Sequence, residues 1–352
     1  MRTLGIAKKT LIGIVVAIII IAVIAGVVAS LYLAPAPGKK KLTFALLVSN
    51  LGNPYFVMLK DGAEAAVKEL KAKGIEVELI VYDAKDDPDL QVRQIEEAIA
   101  KKVDALLINP VHKEAILPAV RDAVKAGIIV ITTDRDIADK SLRVFFTGTD
   151  NVYGAELAVK ALIEALEKSG KPKPWKIVIL HGIPGTTAAE DRKKGFHNVL
   201  DPLVKKGDVK IVAEEIAYFR RDKGLEVMES ILARTKEIDA VICANDEMAL
   251  GAIQAIEGAG LVPGKDIIVV GYDAIPDAVE AVKAGKMYAT IAQSPFLQGY
   301  WAVMGAYYIV VKGWKPPKDF IPTPVVVVTK ANVGTFSEEV AKPKPLPGAP
   351  SE

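Results

Sequence analysis

Cysteine is almost missing from this chain: Cys243 is the only one in 352 residues. An intrachain disulfide is therefore excluded, as is a thiolate-built zinc site. Cys243 lies inside the apolar run AVICAN and reads as a small buried hydrophobe. Histidine is scarce too: His112, His181 and His197 lack metal-ligand spacing, and each reads as a surface or loop residue. No excess of one charge exists, since 45 Lys and Arg face 43 Asp and Glu for a formal net charge of +2. That argues against a nucleic-acid partner, which usually calls for a strongly basic face. Catalytic signatures are missing as well. There is no G-x-S-x-G elbow and no G-x-G-x-x-G after a strand. Gly264-Lys265 fails as a phosphate loop, because Ala259 and Asp266 stand where Gly and Ser or Thr are needed. No metal, cofactor or nucleophile is expected, and the chain does not read as an enzyme.

Long apolar runs are present. Leu11 to Leu33 carries no charge and exceeds the roughly 20 residues that span a bilayer. Arg2, Lys8 and Lys9 precede it, favouring an inside N-terminus, while Lys39, Lys40 and Lys41 behind it weaken the asymmetry. The reading is an N-terminal transmembrane helix. The alternative is a cleaved signal, with Val28-Ala29-Ser30 as cleavage site. Either way the body lies outside the cytoplasm, on the cell membrane or secreted. Ala34-Pro35-Ala36-Pro37-Gly38 is a stiff spacer that closes this first segment, 1–40.

From Lys41 onward strand and helix patterns alternate. The strands fall near 42–49, 76–82, 105–109, 128–133 and 143–148, then 175–181, 209–217, 239–244, 267–272, 288–293 and 324–329. Helical patterns lie between them. Gly74, Gly127, Gly260 and Gly285 sit just past helices, where a left-handed cap is favoured. Such alternation implies right-handed βαβ units and mostly parallel sheets. More than ten strands overfill one open sheet. The expected fold is α/β, with two doubly wound lobes. The polar, Pro-rich segment from 336 to 352 is expected to be disordered.

The strand ends carry the functional signal. ALLVS ends at Ser49, ALLIN at Asn109, IIVITTD at Asp134 with Arg135 next, AVICAN at Asn245, IIVVGYD at Asp273 and ATIAQ at Gln293. Strands buried on both faces read as continuous apolar runs, and ligands bind outside their carboxyl ends. Asn53 and Pro54 open a helix as cap and first residue, with Tyr55 and Phe56 next. Those aromatics serve either the core or the C–H face of a ligand. Asp134 and Arg135 form either a surface ion pair or a locally neutral acceptor and donor for hydroxyls. Arg192 follows a Gly-rich loop and points from a helix start toward the strand ends. Asn245 and Asp246 read as strand end and helix start, where Asp246 serves as a cap on the plainer reading. Singly each is ambiguous; together they describe a crevice for a small, neutral, hydroxyl-rich molecule.

These residues also carry a resemblance. FALLVSNLGNPYFVMLKDG (44–62), LLINP (106–110), ITTDR (131–135), GTDN (148–151), GIPGTTAAEDRKKGF (182–196), ANDEMALGA (244–252), VVGYDAIPDA (269–278) and ATIAQSP (289–295) resemble the periplasmic ribose-binding proteins, in order, over roughly 41–330. That family supplies sugars to ABC importers. The resemblance implies a three-strand hinge between lobes formed by 41–148 with 294–322 and by 149–293 with 323–335. It implies that Tyr55, Phe56 and Phe219 sandwich a sugar ring. Asn53, Asp134, Arg135, Arg192, Asn245, Asp273 and Gln293 would bond its hydroxyls, and Asn109 would play a lesser part. Tyr55 stands where phenylalanine is common. Implied partners are a monosaccharide, ribose first, and permease subunits; another pentose or hexose, or a membrane-tethered sugar sensor, stays open. A transcriptional repressor with the same core would need a helix-turn-helix where the apolar run stands. A sensing ectodomain would need an output domain.

Overall fold

The computed structural model describes residues 41–235 and 237–350. The proposed transmembrane helix and its Pro-rich spacer lie outside these residues. Among the described residues, no helix is long and apolar enough to cross a membrane.

The first half of the chain runs β1 (Leu42–Val48), α1 (Pro54–Ala72), β2 (Val77–Asp83), α2 (Pro88–Ala100), β3 (Ala105–Ile108), α3 (Leu117–Lys125), β4 (Ile129–Thr133) and β5 (Phe145–Gly148). The second repeats the plan with α4 (Asn151–Ser169), β6 (Trp175–His181), α5 (Thr187–Lys206), β7 (Val209–Ile216), α6 (Arg221–Arg234), β8 (Ala240–Cys243), α7 (Asp246–Gly258), β9 (Ile268–Val270), α8 (Pro276–Ala284) and β10 (Ala289–Ala292). There follow α9 (Pro295–Lys312), β11 (Phe320–Pro322), β12 (Val326–Thr329) and α10 (Ser337–Val340).

Two six-stranded sheets result, in the orders β11-β5-β4-β3-β1-β2 and β12-β10-β9-β8-β6-β7. All pairings are parallel except β10 with β12. The central strands ALLI and AVIC are buried on both faces, as the continuous apolar runs require. The chain crosses from one sheet to the other between β5 and α4, between β10 and α9, and between β11 and β12. The third crossing runs from Pro322 to Val326. The strand expected over 324–329 is β12, in one sheet, while β11 just before it, in the other sheet, was not expected. Pro322 and Pro324 flank the break, and neither has an N–H to give a ladder.

Gly74, Gly127, Gly260 and Gly285 all adopt positive φ just past their helices. Helices α1 and α9 cross closely because glycines face the contact. A Cβ at Gly62 would strike the Phe296 carbonyl, and one at Gly299 that of Leu59. The C-terminal segment is a correction. Expected to be disordered, it instead packs along α9. Val340 and Leu346 are buried, and the indole N–H groups of Trp301 and Trp314 donate to the carbonyls of Lys344 (2.8 Å) and Gly348 (2.8 Å). Composition counts polar and proline residues. It does not see two apolar side chains that can reach a waiting groove.

Candidate functional site

The carboxyl ends of β4 in one sheet and of β6, β8 and β10 in the other meet across a cavity of about 20 Å³. Ten of the eleven residues singled out in the sequence line it: Asn53, Tyr55, Phe56, Asp134, Arg135, Arg192, Phe219, Asn245, Asp273 and Gln293. Asn109 does not. It sits behind the wall with its hydrogen bonds spent. Its Oδ1 accepts from the Ser49 amide (3.0 Å) and hydroxyl, and its Nδ2 donates to Asp134 Oδ2 (2.9 Å). Its place is that of a brace that aims Asp134.

The lobe bearing β1 contributes the α1 entry. Asn53 caps the helix, accepting from Tyr55 N (2.9 Å), and Pro54 follows it. This sets Tyr55 and Phe56 edge to face, 5.3 Å between centroids. Phe219 enters from the loop after β7, opposite. It fits because residue 182 is glycine: a Cβ there would land on the Phe219 ring. The Arg135 guanidinium lies over Phe56 at 5.3 Å and Phe219 at 5.5 Å, bridging the lobes. Arg192 stacks on Tyr272 at 3.9 Å. Its Nε donates to Asn151 Oδ1 (2.8 Å) and one Nη to the Ala244 carbonyl (2.6 Å). Asn245 does cap α7, accepting from Met248 N (3.0 Å), yet its Nδ2 also fixes the Phe219 carbonyl (3.2 Å). Asp246, read as a cap, instead turns inward to accept from Thr290 Oγ1 (2.7 Å) and Ile275 N (3.0 Å).

Three of the lining residues carry backbone strain. Asp134 (φ 60), Phe219 (φ 59) and Asp273 (φ 125) occupy positive φ without being glycine. Such conformations persist where surrounding structure over-determines them, commonly at binding sites.

The electrostatics are those of a buried, balanced set. Burial pushes the Asp134 carboxyl up, against the pull of Arg135 and Arg192. Burial pushes Asp273 well above the ordinary carboxylate range, with Arg192 opposing it at 3.6 Å. Burial lowers the Arg135 guanidinium while Asp134 raises it. Three buried atoms at the cavity, Asp134 Oδ1, Arg135 Nε and Gln293 Oε1, find no hydrogen-bond partner among the described residues. Buried polar atoms left this way are costly unless a bound molecule satisfies them. Two acceptors and one donor between aromatic faces match a ring whose hydroxyls both donate and accept.

Sequence reasoning missed several residues. Ala188 lines the cavity, and nothing in an Ala-Ala helix start marks it. Gln298 was missed although a signal existed, as a lone amide in the otherwise apolar first turns of α9. Its Oε1 accepts from the Tyr55 hydroxyl at 2.9 Å. Its Nε2 lies 3.3 Å from each of Thr149 Oγ1, the Gln293 carbonyl and Thr323 Oγ1. One amide thus touches all three crossings and the aromatic wall. Direct contacts also close the lobes. Lys113 N donates to the Gly185 carbonyl (3.0 Å), Lys113 Nζ pairs with Glu190 (2.6 Å), and Asp136 N donates to Thr187 Oγ1 (3.0 Å). The reading of the histidines needs correction for His181, which is buried at the end of β6 and bonded to Glu214 at 2.8 Å.

Comparison with known proteins agrees with this architecture. Residues 44–313 match a family model described as a periplasmic binding protein domain. The chain is 41% identical over 268 residues to the ribose import binding protein of Bacillus subtilis, covering 76% of this chain and 81% of that one. A periplasmic solute-binding protein of an ABC transporter from Actinobacillus succinogenes, with bound D-allose, superposes with a TM-score of 0.73 at 36% identity. It covers 83% of this chain and 99% of the other. One from Bacillus halodurans with bound myo-inositol gives 0.76 at 29% identity, over 86% and 100%. A two-lobe fold of parallel sheets, a cavity where their carboxyl ends meet and a family match over most of the chain lead to one assignment: the chain belongs to the periplasmic binding protein family, extracytoplasmic solute-binding components of transport that are not enzymes.

Proposed function

We propose that this protein binds one monosaccharide, ribose first, between its lobes and delivers it to the permease of an ABC importer. The observation that carries the ligand class is the set of partnerless buried atoms, Asp134 Oδ1, Arg135 Nε and Gln293 Oε1, between aromatic faces. A neutral ring of hydroxyls satisfies donors and acceptors at once, and an anion or a hydrocarbon does not. Ribose is favoured by the ribose import binding proteins among the relatives. In this reading Tyr55, Phe56 and Phe219 hold the ring and Asn53, Asp134, Arg135, Arg192, Asn245, Asp273 and Gln293 bond its hydroxyls. The apolar run at Leu11–Leu33 tethers the binding unit to the outer face of the membrane.

Allose, inositol and furanose sugars are bound by proteins of this fold, so the experiment is comparative. Calorimetric titration of the chain from residue 41 onward with ribose, allose, galactose, glucose, xylose and myo-inositol should show ribose binding tightest, with one site. Tighter binding of another sugar would replace ribose and keep the class. No binding by any of them would refute the sugar reading.

A further inference from the structure

The histidines lie far apart in sequence, yet the fold gathers two of the three. His181 ends β6, His197 stands in the middle of α5, and Glu214 lies on the edge strand β7. Nε2 of His181 is 2.8 Å from Glu214 Oε1, and Nε2 of His197 is 3.2 Å from the same oxygen. One ligand atom from each of the three lies within 4.8 Å of the others. In a tetrahedral zinc site with bonds of about 2.0–2.1 Å, neighbouring ligand atoms stand about 3.3 Å apart. The two imidazole-to-carboxylate separations therefore need only a slight expansion to take an ion between them.

Two further features fit. The other nitrogen of His197 is held by Asp201, Nδ1 to Oδ1 at 2.9 Å. A carboxylate on the far nitrogen is the usual outer partner of a metal-bound imidazole, fixing its tautomer and orientation. The cluster is also graded in burial. The His181 side chain is 8% exposed, His197 and Glu214 26% each. An ion would have a firm inner ligand and an open side for water. Lys193 Nζ lies 2.9 Å from Glu214 Oε1, but the side chain is 56% exposed and free to swing into solvent.

We propose that His181, His197 and Glu214 form a binding site for a divalent transition-metal ion of the zinc type, with Asp201 as its outer brace. The ion would pin α5 to the β7 edge of its sheet. That helix also carries Arg192, so the site would stiffen one wall of the ligand cavity from behind.

The test uses the full chain without a histidine tag, stripped with a chelator and titrated with zinc against a chromophoric competitor. One zinc should bind per chain. His197→Ala and Glu214→Gln, both partly exposed and so tolerable to the fold, should abolish the saturable phase while retaining the wild-type unfolding transition without metal. Asp201→Asn should weaken binding roughly 10–100-fold. Lys193→Ala should bind at least as tightly as wild type, because it removes a competing cation. His112→Ala should change nothing. Absence of a saturable phase, or zinc binding that survives both His197→Ala and Glu214→Gln, would overturn the site.

Discussion

At the scale of the residue, the chemistry of the cavity is that of charges kept out of water and held against each other. Asp273 is held by Gln293 and Arg192, and it lines the cavity. Replacing it with alanine takes the acceptor from the Gln293 amide and the opposing charge from Arg192. Unpaired buried donors of this kind cost about 1–3 kcal/mol each, more when charged. Sugar affinity of Asp273→Ala should therefore fall by at least about 3 kcal/mol, roughly 100-fold; a titration showing less than tenfold loss would remove Asp273 from the site. The same burial makes a prediction about pH. Asp134 and Asp273 titrate above their unfolded values of about 3.9, because desolvation penalises the carboxylate. The folded chain then holds more protons than the unfolded one between those values. On this account the stability of the ligand-free protein falls as pH rises from about 4 through the raised pKa values, and it is recovered on acidification. Asp273→Asn removes one such group, so its stability relative to wild type should grow as pH rises. Urea unfolding of both proteins across pH 4–8 measures this, and parallel curves would contradict it.

At the scale of the element, helices and strands act as holders whose ends matter more than their lengths. Helix α9 is buried along nearly its whole run, yet it carries Gln298, bonded to Tyr55 and to all three crossings. That places it as a strut on which the lobes turn. Gln298→Leu keeps the volume and loses the bonds. The change should lower unfolding stability by about 2–3 kcal/mol, from the hydroxyls and carbonyl left unpaired. It should also shift the balance between open and closed forms, visible as a changed radius of gyration in small-angle scattering without sugar. Wild-type values for both would show that Gln298 is mere packing. The helix starts at Asn53 and Asn245 were legible from sequence because capping is local: side chain and amide lie two or three residues apart. The role of Gln298 was not, because its partners are up to 243 residues away.

At the scale of the whole molecule, two sheets of like plan share one cavity and a C-terminal segment that closes the back of α9. Val340 and Leu346 are buried, and two tryptophan indoles donate to that segment. Two buried aliphatic side chains and two hydrogen bonds amount to about 5 kcal/mol. Deleting residues 337–352 should lower Tm by roughly 5–10 °C and leave sugar affinity unchanged, since none of these residues lines the cavity. An unaltered Tm would show the packing to be without energetic weight.

The alternation of apolar runs and helical patterns determined the α/β class and the left-handed caps, because burial on both faces and the steric freedom of glycine are written residue by residue. It also marked the residues around the cavity, since a strand end is a sequence position before it is a place. Which of them face the ligand and which, like Asn109, stand behind was decided only when the strands paired and the side chains competed for the same partners. The same holds for the amide of Gln298, the packed tail and the meeting of His181, His197 and Glu214. Each depends on contacts between segments far apart in the chain, and spacing along a sequence carries no record of distance across a fold.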